Sequence, residues 1–529
     1  MQAKLPRLIF VSILIAFGFY AARFIEKTSF IIEGQKYYVL FDDAMISMRY
    51  AKNLAGGYGP VWNPGGERVE GYTNPLWLVY MAVWHLLPIP ASKISLAIQI
   101  SGAFFLFLNL IAIRILALEI TRNEWLALGA VFLTAFFFSL NNWAIQGMEV
   151  GVLTLCVSLF TVCAVRNRDR GKFFPGLYIL LGLTTLIRMD MAVPYLVITV
   201  WCAWFDQARR VRHLWWGCSI LIVFLLGQSL WRVVYYGDWL PNTYYLKIGG
   251  IPLLTRLTIG FGALRQFVWN TGWVLFAIPF LAFPLGPNPN SYLLFGILLG
   301  QAAYSVYIGG DAWEHRGGAN RFLAIAMPLF FTLLVQAANL IRLSLLAAIQ
   351  NQRKTIEQLT QAGLAVFLLF SLFSFNIILT NDSVLKWTLQ KRPIFVDGSE
   401  RLTRIGLIVG EITSAGAQVA VVSAGSIIYF SERPGIDLYG KMDRVIARSE
   451  PRLPKGLSDY ADLRPGHAKW DYSYSLGVLQ PDVIAQLVDE TLGEAQPWLV
   501  NYTRIVVEGF PLYVRNDSTN ILWENIPQP

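Results

Sequence analysis

Charged residues are scarce in this chain. Of its 529 residues, 15% are Asp, Glu, Lys or Arg, whereas 55% are hydrophobic. Soluble globular domains contain about 25% charged residues, so this composition excludes an ordinary soluble protein. The chain also contains repeated apolar runs close to the ~20 residues that a helix needs to cross a bilayer. We therefore expect a polytopic α-helical membrane protein.

Cysteine is also scarce, with four residues in the whole chain. All four lie inside apolar segments, where a thiol behaves as a small hydrophobic group: Cys156, Cys163, Cys202 and Cys218. The polar C-terminal part contains none, which excludes disulfide bonds and a cysteine metal cluster there. The net charge of +9 is carried largely by short loops beside apolar segments, as membrane orientation requires. We expect no nucleic-acid partner.

Twelve apolar segments precede the polar C-terminal part. The first follows Lys4 and Arg7 and lacks a small-residue cleavage site, so we interpret it as a retained span rather than a signal peptide. The segment 76–88 has thirteen residues, too few to span, and we expect it to be interfacial or re-entrant. The other segments predict about eleven transmembrane helices: 8–24, 95–118, 125–140, 149–165, 173–187, 191–205, 214–235, 267–285, 291–308, 321–340 and 363–380.

The basic loops predict the orientation of these spans. With eleven crossings, the loops 166–172, 207–213 and 341–354 all lie on the side of the N-terminus, which the positive-inside rule assigns to the cytoplasm. The C-terminal part then lies on the external side. The same side receives the polar loops 26–75, 141–148, 188–190, 236–266 and 309–320.

From about residue 385 the sequence becomes polar, which predicts two domains. The first is a transmembrane domain over 1–384, and the second is a soluble mixed α/β domain over 385–529. Within the second, "GSERLTRIGLIVGEI" has the apolar period of a helix. "QVAVVSAGSIIYF" predicts strand, and "YTRIVVEGFPLYVRND" predicts a β-hairpin.

Two adjacent carboxylates, Asp42 and Asp43, follow the first span. One interpretation is that they cap the helix predicted by "AMISMRYAKNLAGG" or are solvated loop charges. The other is catalytic, because charged groups at a membrane interface are costly and tend to be functional. A carboxylate near hydrocarbon is a stronger base than in water, which suits removal of a proton from an attacking hydroxyl.

The segments that carry a family resemblance begin with this loop. "FDDAMISMRYAKNL" and "GPVWNPGGERVEGYTNPLW" resemble the first external loop of GT-C class membrane glycosyltransferases, and in particular the AftB-like terminal arabinofuranosyltransferases of mycobacteria and their bacterial relatives. Further matches follow in the same order and cover most of the chain: "NNWAIQGMEVGVLTL", "LTTLIRMDM", "YYGDWLPNTYYLK", "GGDAWEHRGGANRFLAIAMP", "GIDLYGKMDRVIAR" and "RPGHAKWDY".

The resemblance implies an inverting, single-displacement transfer of a sugar, arabinofuranose in that family, from a polyprenyl phosphate. The acceptor would be a hydroxyl of a glycan, glycolipid or protein outside the cytoplasmic membrane of a bacterium, and no cofactor is implied. An Asp of the first external loop acts as the general base in such enzymes. Here that residue would be Asp42, with Asp43 orienting it or contacting the acceptor.

A departing phosphate requires positive charge near its oxygens. The candidates on the external side are Arg188, Lys247, His315, Arg316 and Arg321. Each is alternatively an interfacial anchor that extends to lipid headgroups. Arg188 and Arg321 are the stronger candidates, because they lie at external ends of spans, where the positive-inside rule disfavours arginine.

The same external loops supply candidate substrate contacts: Tyr72, Asn74, Glu149, Asp190, Asp238, Asn242, Tyr244, Asp311 and Glu314. Alternatively, Glu149 complements a helix dipole and "DWLPNT" is a turn. Asp311, Glu314 and His315 include metal-ligand types, but their spacing is loose and we expect no metal. "RMD" replaces an Arg-Pro-Glu or Arg-Pro-Asp run of relatives, which puts the role of Asp190 in doubt more than that of Arg188.

In the C-terminal part, His467, Lys469 and Trp470 are candidate acceptor contacts, or they pack this domain onto the membrane domain. The alternative to an enzyme is a transporter or flippase of a lipid-linked sugar. Transporters usually have internal repeats and ionisable residues at mid-membrane, whereas here these residues cluster at one end of the spans. A receptor with a binding tail would not need so many polar external loops. The sequence therefore favours a glycosyltransferase.

Overall fold

The computed structural model describes residues 4–314, 320–348, 353–377, 382–453, 463–488 and 491–527. Helices dominate the N-terminal part of the chain. They are α1 (Lys4–Lys27), α2 (Asp42–Ala55), α3 (Pro75–His85), α4 (Ala91–Thr121), α5 (Glu124–Ala135), α6 (Phe138–Ile145), α7 (Val150–Asp169), α8 (Gly176–Ile187), α9 (Ala192–Phe205), α10 (Arg210–Tyr236), α11 (Asn242–Ile248), α12 (Leu253–Ala282), α13 (Pro289–Ile308), α14 (Arg321–Ala348), α15 (Arg353–Ile377) and α16 (Ser383–Trp387).

Eight of the helices in these ranges are long and apolar enough to cross a membrane: α1, α4, α7, α10, α12, α13, α14 and α15. The pair α5 and α6, bent by 54°, counts as a ninth if it forms one span. The shorter apolar helices α8 and α9 correspond to two further predicted segments, 173–187 and 191–205. The chain is a multi-pass membrane protein.

Helix α14 lies at the centre of the bundle, between α5, α7, α12 and α13. Nearly its whole N-terminal half is buried, because this helix is apolar on all sides. Helix α12 is interrupted at Gly272, whose φ of 94° only glycine adopts readily. The segment predicted to lie at the interface is α3, and its eleven residues are too few to span a bilayer.

The loop between the first two apolar segments is ordered. It begins with an antiparallel hairpin of β1 (Ser29–Ile32) and β2 (Gln35–Tyr38). Helix α2 follows, as "AMISMRYAKNLAGG" predicted, and packs against α3. Asn53 donates to the carbonyls of Val61 and Trp62, which folds the glycine-rich segment back onto α2.

The C-terminal part is a mixed α/β domain, as predicted. Its strands are β3 (Val419–Val421), β4 (Gly435–Asp437), β5 (Val483–Ile484), β6 (Tyr502–Val507) and β7 (Phe510–Arg515), in the order β4-β3-β5-β7-β6. Strands β3, β4 and β5 are parallel, whereas β7 pairs antiparallel with β5 and β6. Its helices are α17 (Val396–Ile412), α18 (Ser426–Ser431), α19 (Arg444–Arg448) and α20 (Leu492–Ala495).

Two of the three predictions for this domain are confirmed, namely helix α17 and the β6–β7 hairpin. The strand prediction for "QVAVVSAGSIIYF" is correct only for β3, because Ser426–Ser431 forms helix α18. Helix α18 packs against both α17 and α2. This tertiary packing overrides the β propensity of its adjacent isoleucines.

Candidate active site

Asp42 and Asp43 form the first turn of α2, but neither caps it. The N-cap position is Phe41, which makes no side-chain capping bond. Both carboxylates instead bond groups outside α2. The capping interpretation is therefore wrong, and each carboxylate must be explained by its own surroundings.

The Asp42 carboxylate faces the turn between β3 and α18. The Ser426 N–H donates to Oδ1 of Asp42 at 2.7 Å, and the Gly425 N–H donates to Oδ2 at 3.3 Å. Desolvation raises the pKa of Asp42, and the negative charge of Asp43 adds to the rise. Among the described residues, two backbone amides and no cation bond the Asp42 carboxylate, so it stays basic enough to accept a proton.

Asp43 is held by two cations and an indole. Its Oδ2 accepts from Nη1 of Arg321 at 3.0 Å and from Nε1 of Trp313 at 3.2 Å. Its Oδ1 accepts from Nζ of Lys441 at 2.9 Å. Burial alone would raise the pKa of Asp43, but the charges of Lys441 and Arg321 outweigh it and hold this pKa far below its usual range. Asp43 is therefore a weak base and an anchor for cations.

Arg321 is fixed by a second carboxylate. Its Nε donates to Oδ2 of Asp311 at 2.8 Å and its Nη2 to Oδ1 at 2.9 Å. The guanidinium also lies over the ring of Trp143, 5.2 Å from its centroid. These contacts hold Arg321 at the start of α14, beside Asp43.

Both carboxylates of the pair line a cavity of about 1060 Å³ between α2 and the C-terminal domain. The residues that follow β3, β4 and β5 form one wall of it, at 422–424, 437–441 and 484–488. The carboxyl ends of parallel strands are the common ligand-binding edge of α/β sheets. The cavity therefore joins the carboxylate pair to a sheet edge suited to bind a ligand.

One further predicted residue lines this cavity, and another lies behind its wall. His467 lines it and packs edge-on against Trp313 and Tyr439. Desolvation, with the charge of Lys441, lowers the pKa of His467 to about 4, so the ring is neutral at pH 7. Lys247 lies behind Gly466 of the cavity wall. Desolvation and the charges of Arg321 and Lys441 lower the pKa of Lys247 to about 8.

The cations nearest Asp43 differ in how far they are already engaged. Arg321 gives all its described hydrogen bonds to Asp43 and Asp311, and Lys441 bonds Asp43. Within the ranges that the structure describes, the Lys247 ammonium has no hydrogen-bond partner. Of these three cations, Lys247 therefore has the most capacity to bind an anionic ligand. His315 and Arg316 lie outside the described residues.

Arg188 belongs to a separate buried network. It donates to both oxygens of Asp190, at 2.6 and 2.8 Å, and to Oε1 of Glu149 at 2.9 Å. Asn74 donates to the other oxygen of Glu149 and accepts from Ser47 of α2. The structure thus brings four predicted residues together, but none of them lines the cavity. Their contacts brace α2 against the membrane helices.

Three other predicted residues connect the membrane domain to the C-terminal domain or to its own core, and a fourth is exposed. Asn242 donates to the carbonyls of Gly440 and Lys441 at 2.9 and 3.0 Å, and Asp238 accepts from Arg448 at 2.7 Å. Tyr72 is buried and its hydroxyl bonds that of Tyr236. Tyr244 is exposed beside Tyr245, and it does not line the cavity.

Glu314 follows Asp311 in the loop before α14. Burial, with the charge of Asp311, raises the pKa of Glu314 to about 8. Among the described residues, no group of three or more His, Cys, Asp or Glu side chains is arranged to hold a metal ion. Since His315 lies outside those residues, the absence of a metal stays a prediction.

The predicted residues of the C-terminal domain have different surroundings. Trp470 lines the cavity, and the Arg452 guanidinium lies 4.7 Å from its ring centroid. Lys469 is buried and donates to the carbonyls of Tyr245 and Ala447 at 3.1 and 2.8 Å. Lys469 therefore joins the two domains, whereas Trp470 and His467 can reach a ligand.

Sequence reasoning missed Lys441 and Trp313 as partners of Asp43. Lys441 stands 398 residues away in the chain. Its segment "GIDLYGKMDRVIAR" carried part of the resemblance, but no local pattern connects it with the first external loop.

Comparison with known proteins agrees with this architecture. A family described as a domain of unknown function (DUF8728) matches residues 393–513. The chain is 28% identical to the terminal β-(1→2)-arabinofuranosyltransferase of Mycobacterium tuberculosis over 221 residues. The matched region covers 39% of this chain and 34% of that protein. The enzyme of the same name from Corynebacterium glutamicum is 26% identical over 247 residues, 44% of this chain and 34% of that protein. The match thus spans about a third of the length of these relatives.

Solved structures share the fold over nearly the whole chain. ArnT from Cupriavidus metallidurans bound to undecaprenyl phosphate has a TM-score of 0.57 and 10% identity, covering 97% of this chain and 98% of that one. The oligosaccharyltransferase of Archaeoglobus fulgidus in complex with Zn and sulfate has a TM-score of 0.55 and 12% identity, covering 97% and 74%. The resemblance noted in the sequence is therefore confirmed at the level of architecture. The chain has the fold of the GT-C membrane glycosyltransferases.

Proposed function

We propose that this chain is an inverting glycosyltransferase that moves a sugar from a polyprenyl phosphate to a hydroxyl of a glycan, glycolipid or protein acceptor. The observation that carries the proposal is the pair Asp42 and Asp43, which faces a large cavity beside Lys441 and Arg321 in a GT-C fold. The similarity to two arabinofuranosyltransferases supports arabinofuranose as the sugar.

The surroundings of the pair divide the chemistry between the two carboxylates. Asp42 accepts the proton of the acceptor hydroxyl while the hydroxyl oxygen bonds the anomeric carbon. The bond from that carbon to the phosphate oxygen breaks in the same displacement, and the phosphate keeps the electron pair. Asp43 stays ionised and positions Lys441 and Arg321 near the leaving group.

Positive charge near the departing phosphate lowers the barrier, because negative charge develops on its oxygens. Lys247 lies among the charges of Asp43, Asp311, Arg321 and Lys441. Arg321 and Lys441 already bond carboxylates, whereas the ammonium of Lys247 has no hydrogen-bond partner among the described residues. We therefore assign the phosphate contact to Lys247.

The basic loops of the sequence support a cytoplasmic N-terminus and an external site in the cytoplasmic membrane of a bacterium. A lipid-linked donor suits that side, because the polyprenyl chain remains in the bilayer while the sugar reaches the cavity.

The direct test is transfer by the purified chain in detergent. We would incubate it with polyprenyl-phosphate arabinofuranose, or with hexose analogues, and an oligosaccharide acceptor, and measure the glycosylated product and the free polyprenyl phosphate. We expect one molecule of free polyprenyl phosphate for each molecule of glycosylated product. The control variant Asp517→Asn should give the same result as wild type, because the Asp517 side chain is 82% exposed. Movement of the intact donor across liposomes, with no product from any donor, would instead support a flippase.

A further inference from the structure

The lining of the cavity carries more positive than negative charge. Its acidic residues are Asp42, Asp43 and Asp437. The first two form the pair described above, and Asp437 accepts from the backbone N–H groups of Tyr439 and Met442. The lining cations are Arg401, Lys441, Arg452, Arg464 and Arg504.

Two of these cations are already paired. Lys441 bonds Asp43, and Arg452 bonds Glu494. Across the described ranges of the chain, Arg401, Arg464 and Arg504 form no ion pair with a carboxylate. A planar guanidinium binds phosphate or carboxylate through two parallel hydrogen bonds. Three such groups on one cavity therefore suit an anionic ligand.

Of these arginines, Arg504 is separated from the reacting pair by the width of the sheet. Asp42 bonds the turn that follows β3, whereas Arg504 lies on β6. Strand β6 is three positions from β3 in the sheet, which corresponds to about 14 Å at ~4.8 Å per strand. An anionic group at Arg504 must therefore belong to a part of the ligand remote from the reacting hydroxyl.

Other residues that line the cavity suit a saccharide. Trp470 and Tyr513 line it with aromatic rings, and Gln486 and Ser423 add amide and hydroxyl groups. Apolar faces with a few polar groups are the usual composition of small-ligand sites. The wall also includes the carboxyl ends of β3, β4 and β5, the edge at which α/β sheets bind ligands.

We propose that the C-terminal domain binds a saccharide acceptor bearing a phosphate or carboxylate, through Arg401, Arg464 and Arg504. This inference rests on the proposed function, because it names the acceptor class of the same site. The anionic group binds these arginines, while a hydroxyl of another sugar unit of the same oligosaccharide reaches Asp42. A neutral oligosaccharide lacks the first of these contacts.

Direct binding tests this proposal without any sugar transfer. The probes are maltotriose, maltotriose carrying one phosphate monoester, and trigalacturonic acid, each titrated into the purified full-length chain with no donor present. We expect both anionic trisaccharides to bind at least tenfold more tightly than maltotriose. The preference should fall below threefold in the double variant Arg401→Gln/Arg504→Gln, and to an intermediate value in Arg504→Gln alone.

The matched control is Arg404→Gln, one turn along α17 from Arg401. Arg404 pairs with Glu400 and lies outside the cavity lining, so this variant should keep the full preference. Equal binding of neutral and anionic trisaccharides by wild type would overturn the proposal, as would a preference that survives in both Arg504→Gln and the double variant. If the preference is present but transfer fails with every donor, the proposed activity is wrong and the anion site stands.

Discussion

Asp42 and Asp43 are adjacent in the chain, yet their surroundings give them opposite properties. Asp42 bonds two backbone amides, and desolvation raises its pKa. Asp43 bonds Lys441 and Arg321, whose charges outweigh desolvation and lower its pKa. A pair of carboxylates with separated pKa values can divide the work of proton acceptor and fixed anion. This difference supports our proposal that Asp42 is the base.

The pH dependence of donor use tests the role of Lys247. Desolvation and neighbouring cations lower its pKa to about 8, so its ammonium loses a proton as the pH rises through that value. Because phosphate binding needs the charged form, we expect kcat/KM for the donor to fall about tenfold per pH unit above pH 8. This ratio reports the groups of the free enzyme, so it is the quantity to measure.

The variant Lys247→Arg keeps its charge at high pH, and its profile should lack the descending limb near pH 8. Lys36→Arg is the matched control, since Lys36 forms an exposed pair with Glu26, and it should reproduce the wild-type profile. An unchanged descending limb in Lys247→Arg would assign that limb to another group.

At the scale of elements, the turn between β3 and α18 fixes the position of Asp42. Gly425 in this turn approaches α2 so closely that an added Cβ would lie 2.1 Å from the Asp42 carbonyl oxygen and 2.8 Å from Oδ1. The turn and the first residue of α2 are therefore in direct contact, and a side chain at 425 must displace one of them.

We expect Gly425→Ala to reduce transfer by on the order of 10²-fold, because a displacement of about 1 Å in a catalytic group has effects of this size. Its free energy of unfolding should fall by about 1–3 kcal/mol, the usual cost of overpacking. The two readouts are the transfer rate and the thermal unfolding of the purified protein. Gly416→Ala, where the nearest atom lies at 3.7 Å, should change neither, and full activity in Gly425→Ala would show that this contact does not position Asp42.

The elements that the sequence predicted best are those with a strong local pattern. Helix α17 has the period of an amphipathic helix, and β6 and β7 alternate around a Glu-Gly turn at 508–509. Helix α18 was predicted as strand, because "SIIYF" has local β propensity and its packing on α2 comes from a distant part of the chain.

The candidate site shows the same division between local and distant information. Asp42 and Asp43 were recognisable from the sequence, because a carboxylate pair in the loop after the first membrane span is unusual. Their partners Lys441 and Ser426 come from a domain almost 400 residues away, and spacing along a chain does not reveal such pairings. Arg188 bonds Asp190 and Glu149, and its contact with a phosphate stays a prediction.

At the scale of the whole molecule, the cavity lies between the two parts of the chain. The membrane domain supplies α2 with Ala312 and Trp313, and the C-terminal domain supplies Lys441 and the sheet edge. Asn242 and Lys469 hold the two parts together through buried hydrogen bonds to backbone carbonyls. This arrangement places the C-terminal domain and the carboxylate pair on the same side of the membrane.

The side itself is predicted by the basic loops, and a reporter fusion measures it. Alkaline phosphatase fused after residue 529 should be active, because the enzyme folds only outside the cytoplasm and the C-terminal domain is expected there. The matched control is a fusion after Arg170, in the basic loop 166–172, which should be inactive. The reverse pattern would place the cavity on the cytoplasmic side.

A single-turnover measurement of sugar transfer by Asp42→Asn tests whether Asp42 takes the acceptor proton. With donor binding measured in parallel, we expect donor affinity within about threefold of wild type and a transfer rate lower by about 10²–10⁴-fold, the usual contribution of a general base. Asp43→Asn should instead weaken donor binding, since it releases Lys441 and Arg321. Transfer by Asp42→Asn within tenfold of the wild-type rate would show that another group takes the proton.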